Sequence, residues 1–187
     1  MNIATVEAIR AIHRNVVIGM SEKVISKTLS KILVRTGMKP YFNVVLFGSD
    51  AANPHGGVDQ SRELEECEFI LIDVGTTPTF NDITNDSFSV VGAIFLGYSS
   101  AITRTFLPKR TDIEKCYESP SLQDLWMTVY DAQTAAIESV TVNRTCADVD
   151  LAARRVIEDA GLGKYFTHRL GHGLGIEAHE PYSSPQV

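Results

Sequence analysis

The chain has 187 residues, 44% of them hydrophobic, and a formal net charge of −6. That length suits one domain able to bury a substantial core. The acidic balance and the lack of any basic run exclude a nucleic-acid backbone as the partner, and no apolar stretch of about twenty residues is present to cross a membrane.

The opening residues, Met1-Asn2-Ile3-Ala4-Thr5, contain no basic segment followed by an apolar run. No signal peptide is read there, and a cytoplasmic location is expected. The three cysteines, Cys67, Cys116 and Cys146, are odd in number and form no CxxC pair. The expectation is three reduced thiols, with neither a disulfide framework nor a cysteine zinc site.

Apolar residues Ile3, Val6, Ile9, Ile12 and Val16 recur at spacings of three and four, which predicts a first helix ending by Gly19. Ser21 is placed to cap a second helix, with Val24, Ile25, Leu29, Ile32 and Leu33 facing inward and Gly37 and Pro40 closing it. Strand signals follow at Val44–Phe47 and at Phe69–Ile72, the latter running into Asp73-Val74-Gly75. A turn-rich loop, Asn53-Pro54-His55-Gly56-Gly57, lies between them. A third apolar run, Val90–Leu96, leads into Tyr98–Phe106.

Ser119-Pro120 is a favourable helix start. Leu122, Leu125, Trp126, Val129, Ala136, Ile137 and Val140 then share one face, with Trp126 expected in the core. Thr145 and Asp148 have the spacing of a capping box for a fourth helix, with Val149, Ala153, Val156, Ile157 and Ala160 along its stripe and Gly161 at its end. Phe166–Val187 reads as strand-like and glycine-rich, without a closing element. The order predicts a single α+β domain over residues 1–187, with helices packed on one face of a sheet.

Of the five histidines, three fall in the stretch from His168 to Pro181. Glycines on both sides of His172 let the backbone turn sharply and approach a ligand closely. A neutral imidazole so held suits zinc, manganese or cobalt. The same stretch also fits a glycine-rich surface loop with solvated histidines. Asp73 stands at the end of an apolar strand, where a carboxylate can be held rigidly toward a cleft; an ordinary turn-forming Asp is the other reading.

Taken together, these residues add up to a family. Leu71-Ile72-Asp73-Val74-Gly75, then Tyr98-Ser99-Ser100-Ala101-Ile102-Thr103-Arg104-Thr105, then Gly171-His172-Gly173-Leu174-Gly175 with His179-Glu180-Pro181, closely resemble the creatinase, prolidase and methionine aminopeptidase family, and most of all its Xaa-Pro peptidase branch. Ala52-Asn53-Pro54-His55-Gly56 is similar to that family's substrate-side histidine segment. The resemblance implies the pita-bread fold and two divalent metals (manganese, cobalt or zinc) held by two Asp, one His and two Glu. It also implies a metal-bridging hydroxide that attacks a peptide carbonyl. By the same resemblance Asp73 matches the first Asp ligand and His172 the His ligand. His55 and His179 match the histidines that bond the scissile peptide. Asp73 and His172 are expected to approach each other across one concave face, with His55 and His179 at its border.

Three departures set this chain apart. Ala101 stands where the family has its second Asp ligand. Both Glu ligands of the family would fall beyond Val187. Thr77 to about Ala93 interrupts what is a short turn in the family, with Pro78, Asn81, Asp82, Asn85 and Asp86 breaking the connection. Three readings follow. The chain is a catalytically inactive or degenerate relative of the Xaa-Pro aminopeptidases and dipeptidases. Alternatively it is an active metallopeptidase whose ligands are completed by another residue or a partner, or a non-catalytic peptide- or protein-binding relative. The expected ligand is a peptide, with homo-oligomerisation a means of covering apolar faces and strand edges left open.

Overall fold

The computed structural model describes residues 2–53, 56, 60–78, 98–108, 116, 120–177 and 179–183. The chain divides into two compact units, Met1–Ile113 with Leu174–Ala178, and Glu114–Gly173 with His179–Val187.

The first unit opens with helices α1 (Asn2–Asn15) and α2 (Glu22–Arg35). Ser21 caps α2 as its sequence predicts, its side chain accepting from the Val24 N–H. Strands β1 (Met38–Phe47), β2 (Ile70–Pro78) and β3 (Ser100–Phe106) form an antiparallel sheet in the order β1-β2-β3. Side chains alternate along a strand, so Val45 and Phe47 of β1 and Ile70, Ile72 and Val74 of β2 point to one face. There they meet Ile9, Ile12, Ile25, Leu29 and Leu33 from the two helices in one buried cluster. Each large side chain so buried contributes about 1.5–3 kcal/mol. The helical stripes and the strand alternation thus name the same core.

Pro40 does not close α2. It lies within β1, where the register shifts between Pro40 and Phe42. Among the described residues β1 has a neighbour on one side only, and an edge strand at a bulge tolerates the missing N–H. The helix ends instead at Arg35, followed by Gly37 in the left-handed region at φ +77°. Thr77 and Pro78, the first residues of the expected interruption, belong to β2 and pair with Lys39 and Met38. Its residues from Thr79 to Ala93, and the run Val90–Leu96, lie outside the described residues.

The second unit contains helices α3 (Pro120–Ser139) and α4 (Cys146–Asp159) and a two-stranded ribbon, β4 (His172–Gly173) with β5 (Glu180–Ser183). The capping box is formed, with Thr145 and Asp148 exchanging side-chain and backbone hydrogen bonds. The helices pack through small residues, Ala132 and Ala136 of α3 against Ala153 of α4, with Val149, Val156 and Ile157 alongside. Trp126 is not core: it is 43% exposed and stacks on Tyr130, with ring centroids 5.6 Å apart. The close alanine contact uses one edge of the α3 apolar stripe, leaving Trp126, Val129 and Ile137 outward, and Val140 is exposed just past the helix end. Phe166–Val187 is less strand-like than its composition suggests. A single 3-10 turn (Gly163–Tyr165) precedes it, and only β4 and β5 are extended among its described residues.

Cysteine chemistry differs from expectation as well. Cys67 and Cys116 are both in disulfide linkage, and among the described residues only Cys146 is a free, exposed thiol. Nothing in the spacing of three cysteines signals this.

Candidate metal centre

Asp73 sits in the central strand β2, paired with Val44 of β1 and Thr103 of β3. It alternates with Ile72 and Val74 and so points away from α1 and α2. The Thr103 hydroxyl donates to Asp73 Oδ1 at 2.8 Å, which fixes the carboxylate rotamer. Two residues along, Gly75 pairs with Ala101. A side chain at Gly75 would run into the rings of Tyr41 and Phe42, so the glycine of the Asp-x-Gly motif permits an aromatic wall beside Asp73. Burial, and then the nearby negative charge of Asp73, push the Tyr41 phenol above its ordinary range.

Ala101 and Thr103 are two apart on β3 and share a face, which is also the face of their partners Gly75 and Asp73. Ala101 therefore lies beside Asp73, and its methyl group offers no donor atom. Ser99, just ahead of β3, donates from its N–H to the Gly175 carbonyl at 2.7 Å and from its hydroxyl to the Ile176 carbonyl at 3.0 Å. The Tyr-Ser-Ser motif thus tethers part of the glycine-rich segment. His55 lies outside the described residues. Its neighbour Gly56, at φ +70°, packs toward Val44, whose side chain is on the Asp73 face.

His172 and His179 belong to the second unit. The β4–β5 ribbon brings them together, their ring centroids 4.1 Å apart. Both are exposed. His172 Nδ1 lies 2.8 Å from the Gly173 carbonyl, which leaves Nε2 as the outward nitrogen. The sequence reading missed what anchors the chain leading into this ribbon. Asp150 is fully buried on α4 and accepts from the Leu170 N–H at 2.6 Å. It also pairs with Arg154 at 3.0 Å. Arg154 in turn donates to the carbonyls of Phe166 and His168 and lies over the Phe166 ring. The available signal was the i, i+4 spacing of Asp150 and Arg154, which alone does not separate a buried clamp from a surface pair.

These donors do not fit a pair of divalent ions. Two such ions need several anionic oxygens to offset dehydration and mutual repulsion. Among the described residues, no three His, Cys, Asp or Glu side chains come together in a metal-holding group.

A helix-backed antiparallel sheet carrying an Asp-x-Gly strand, followed by a helix pair and a histidine ribbon, defines a pita-bread protein of the metallopeptidase class. The chain belongs to metallopeptidase family M24, whose model matches residues 1–87 and 83–187. It is 43% identical over 183 residues to an uncharacterized peptidase of Schizosaccharomyces pombe, covering 96% of this chain and 36% of that protein. The dipeptidase PepE of Mycobacterium ulcerans superposes with a TM-score of 0.79 at 29% identity, over 99% of this chain and 44% of that one. An Xaa-Pro dipeptidase from Bacillus anthracis superposes with a TM-score of 0.77 at 26% identity, over 96% and 44%. The chain therefore spans less than half the length of each of these proteins.

Proposed function

We propose that this chain is a relative of the two-metal Xaa-Pro aminopeptidases and dipeptidases that does not itself hydrolyse peptides. The observation that carries this reading is Ala101, on the face of Asp73 and next to it, where a second carboxylate ligand is required. By their motifs Asp73 and His172 match metal ligands of the family, and His55 and His179 its substrate-side histidines. Manganese, cobalt or zinc would accordingly be held weakly. The family match breaks into two pieces overlapping at residues 83–87. That seam falls within Thr77–Ala93, which supports the reading of this segment as an insertion.

The ligand class that fits is a peptide. The two solved structures named above are dipeptidases, and the net charge of −6 disfavours a nucleic acid. The outward Trp126, Val129 and Ile137 on α3, with Val140 exposed just past its end, favour association with further polypeptide, a second copy of this chain included. Among the described residues no helix is long and apolar enough to cross a membrane. A disulfide persists in an oxidising compartment, so the state of Cys67 and Cys116 in cells decides for or against the cytoplasmic location expected from the sequence.

The test is a peptidase assay on Xaa-Pro dipeptides and longer Xaa-Pro peptides with added manganese or cobalt. No turnover above the metal-only control is expected. Metal-dependent hydrolysis that a chelator abolishes would overturn the proposal and show that other groups complete the site.

A further inference from the structure

Glu22, the first residue of α2, is fully buried. One carboxyl oxygen, Oε1, accepts from the Phe47 N–H at 2.7 Å. The other, Oε2, is buried with no hydrogen-bond partner among the described residues. Phe47 ends β1, and the 3-10 turn Gly48–Ala52 starts directly after it. Gly48, at φ +46°, lies under the side chains of Glu68 and Arg62, where a Cβ would collide.

The charged groups facing Glu22 come from two segments. Asp50 belongs to the 3-10 turn. Arg62 and Glu68 come from the chain that runs alongside the α2 N-terminus, where the Glu22 N–H donates to the Arg62 carbonyl at 3.1 Å. Arg62 is already engaged: it pairs with Glu68, lies 3.5 Å from Asp50, and donates to the Ser49 hydroxyl at 3.0 Å. With Glu22 neutral, the cluster holds one cation and two anions. With Glu22 ionised, a third anion enters a site whose cation is committed elsewhere, and Oε2 becomes a buried charge without a partner.

We propose that Glu22 is a proton-controlled latch: neutral, it seats the turn Gly48–Ala52 against the end of β1, and ionised, it releases that turn. The turn leads through Asn53 to Gly56, which packs toward Val44 on the Asp73 face. Release therefore loosens the rim of that face. Burial raises the Glu22 carboxyl above the ordinary glutamate range, against the opposing effect of the Phe47 hydrogen bond. A group held up in the folded state contributes stability that is complete below its unfolded value and is lost as pH rises through the folded value. The latch is accordingly closed in acid and opens toward neutral and alkaline pH.

Hydrogen exchange of the Phe47 and Gly48 amides, corrected for intrinsic rate, tests this between about pH 5 and about pH 8. In the wild-type chain, protection should fall with rising pH by up to about tenfold per unit between the ordinary glutamate value and the raised folded one, and level off above it. Glu22→Gln keeps an acceptor for the Phe47 N–H and cannot ionise, so its profile should be flat. A flat wild-type profile, or an equal slope in the variant, overturns the proposal. A second measurement does not depend on the variant folding. Carboxyl carbon NMR of the wild type should place the Glu22 midpoint above the ordinary value of about 4.3, and an ordinary midpoint overturns the latch.

Discussion

Ala101 pairs with Gly75 across the β2–β3 ladder, directly beside the Thr103–Asp73 pair and on the same face. A carboxylate introduced at position 101 therefore lands next to Asp73. Ala101→Asp is expected to tighten manganese or cobalt binding by on the order of tenfold, as one added anionic ligand does. Turnover of Xaa-Pro peptides by this 187-residue chain should remain absent, since one added carboxylate beside Asp73 is too little to hold two divalent ions. Calorimetric titration of both chains checks this. Unchanged affinity in the variant would mean that position 101 does not face the site.

The buried Asp150–Arg154 pair should govern the chain entering the histidine ribbon. Removing one partner of a buried, hydrogen-bonded ion pair leaves the other charge uncompensated, at a cost of about 3–5 kcal/mol. Asp150→Asn and Arg154→Ala should each lower the unfolding free energy from urea titration by an amount in that range. They should also weaken protection of the Leu170 amide, which Asp150 accepts from. A loss of less than about 1 kcal/mol, as for a surface pair, would contradict the clamp.

The capping box makes a separate prediction at low pH. Hydrogen bonds from the Thr145 backbone N–H, and then from its hydroxyl, hold the Asp148 carboxyl below its usual range. A depressed folded value means stability that is present above the unfolded value of about 3.9 and is lost as pH falls through the folded one. Thr145→Ala should cost α4 about 1 kcal/mol near neutral pH. The difference between variant and wild type should shrink in strong acid. Thermal melts followed by circular dichroism across that range measure both effects. A constant difference at all pH values would place the stabilisation outside the Asp148 carboxylate.

The oxidation state of the cysteines is directly countable. With Cys67 and Cys116 in disulfide linkage and Cys146 free, thiol titration of the unfolded chain without reductant should give about one thiol per molecule, rising to about three after reduction. Three thiols before reduction, in protein purified under air, would restore the fully reduced reading and favour a cytoplasmic location.

Much of the first unit was legible in its residues. The spacing of Ile9, Ile12, Ile25, Leu29 and Leu33 names the helical faces, and the alternation around Ile70, Ile72 and Val74 names the strand face that meets them. Local chemistry also announced the Ser21 cap and the Thr145–Asp148 box, because a cap is made within four residues of chain. Asp73, Ala101 and His172 were singled out by their motifs, and the pairing register puts Ala101 beside Asp73. What the residue order could not supply is what depends on neighbours distant in sequence. Periodicity marks an apolar face without saying how much of it is covered, so Trp126 read as core until the alanine contact between α3 and α4 left it outside. Pro40 read as a helix terminator because proline breaks helices, yet beside the register shift in β1 its missing N–H is tolerated. The burial of Glu22 and of Asp150, and the disulfide linkage of Cys67 and Cys116, are tertiary facts. A charge or a thiol acquires its chemistry from the surfaces that close over it, and those surfaces come from elsewhere in the chain.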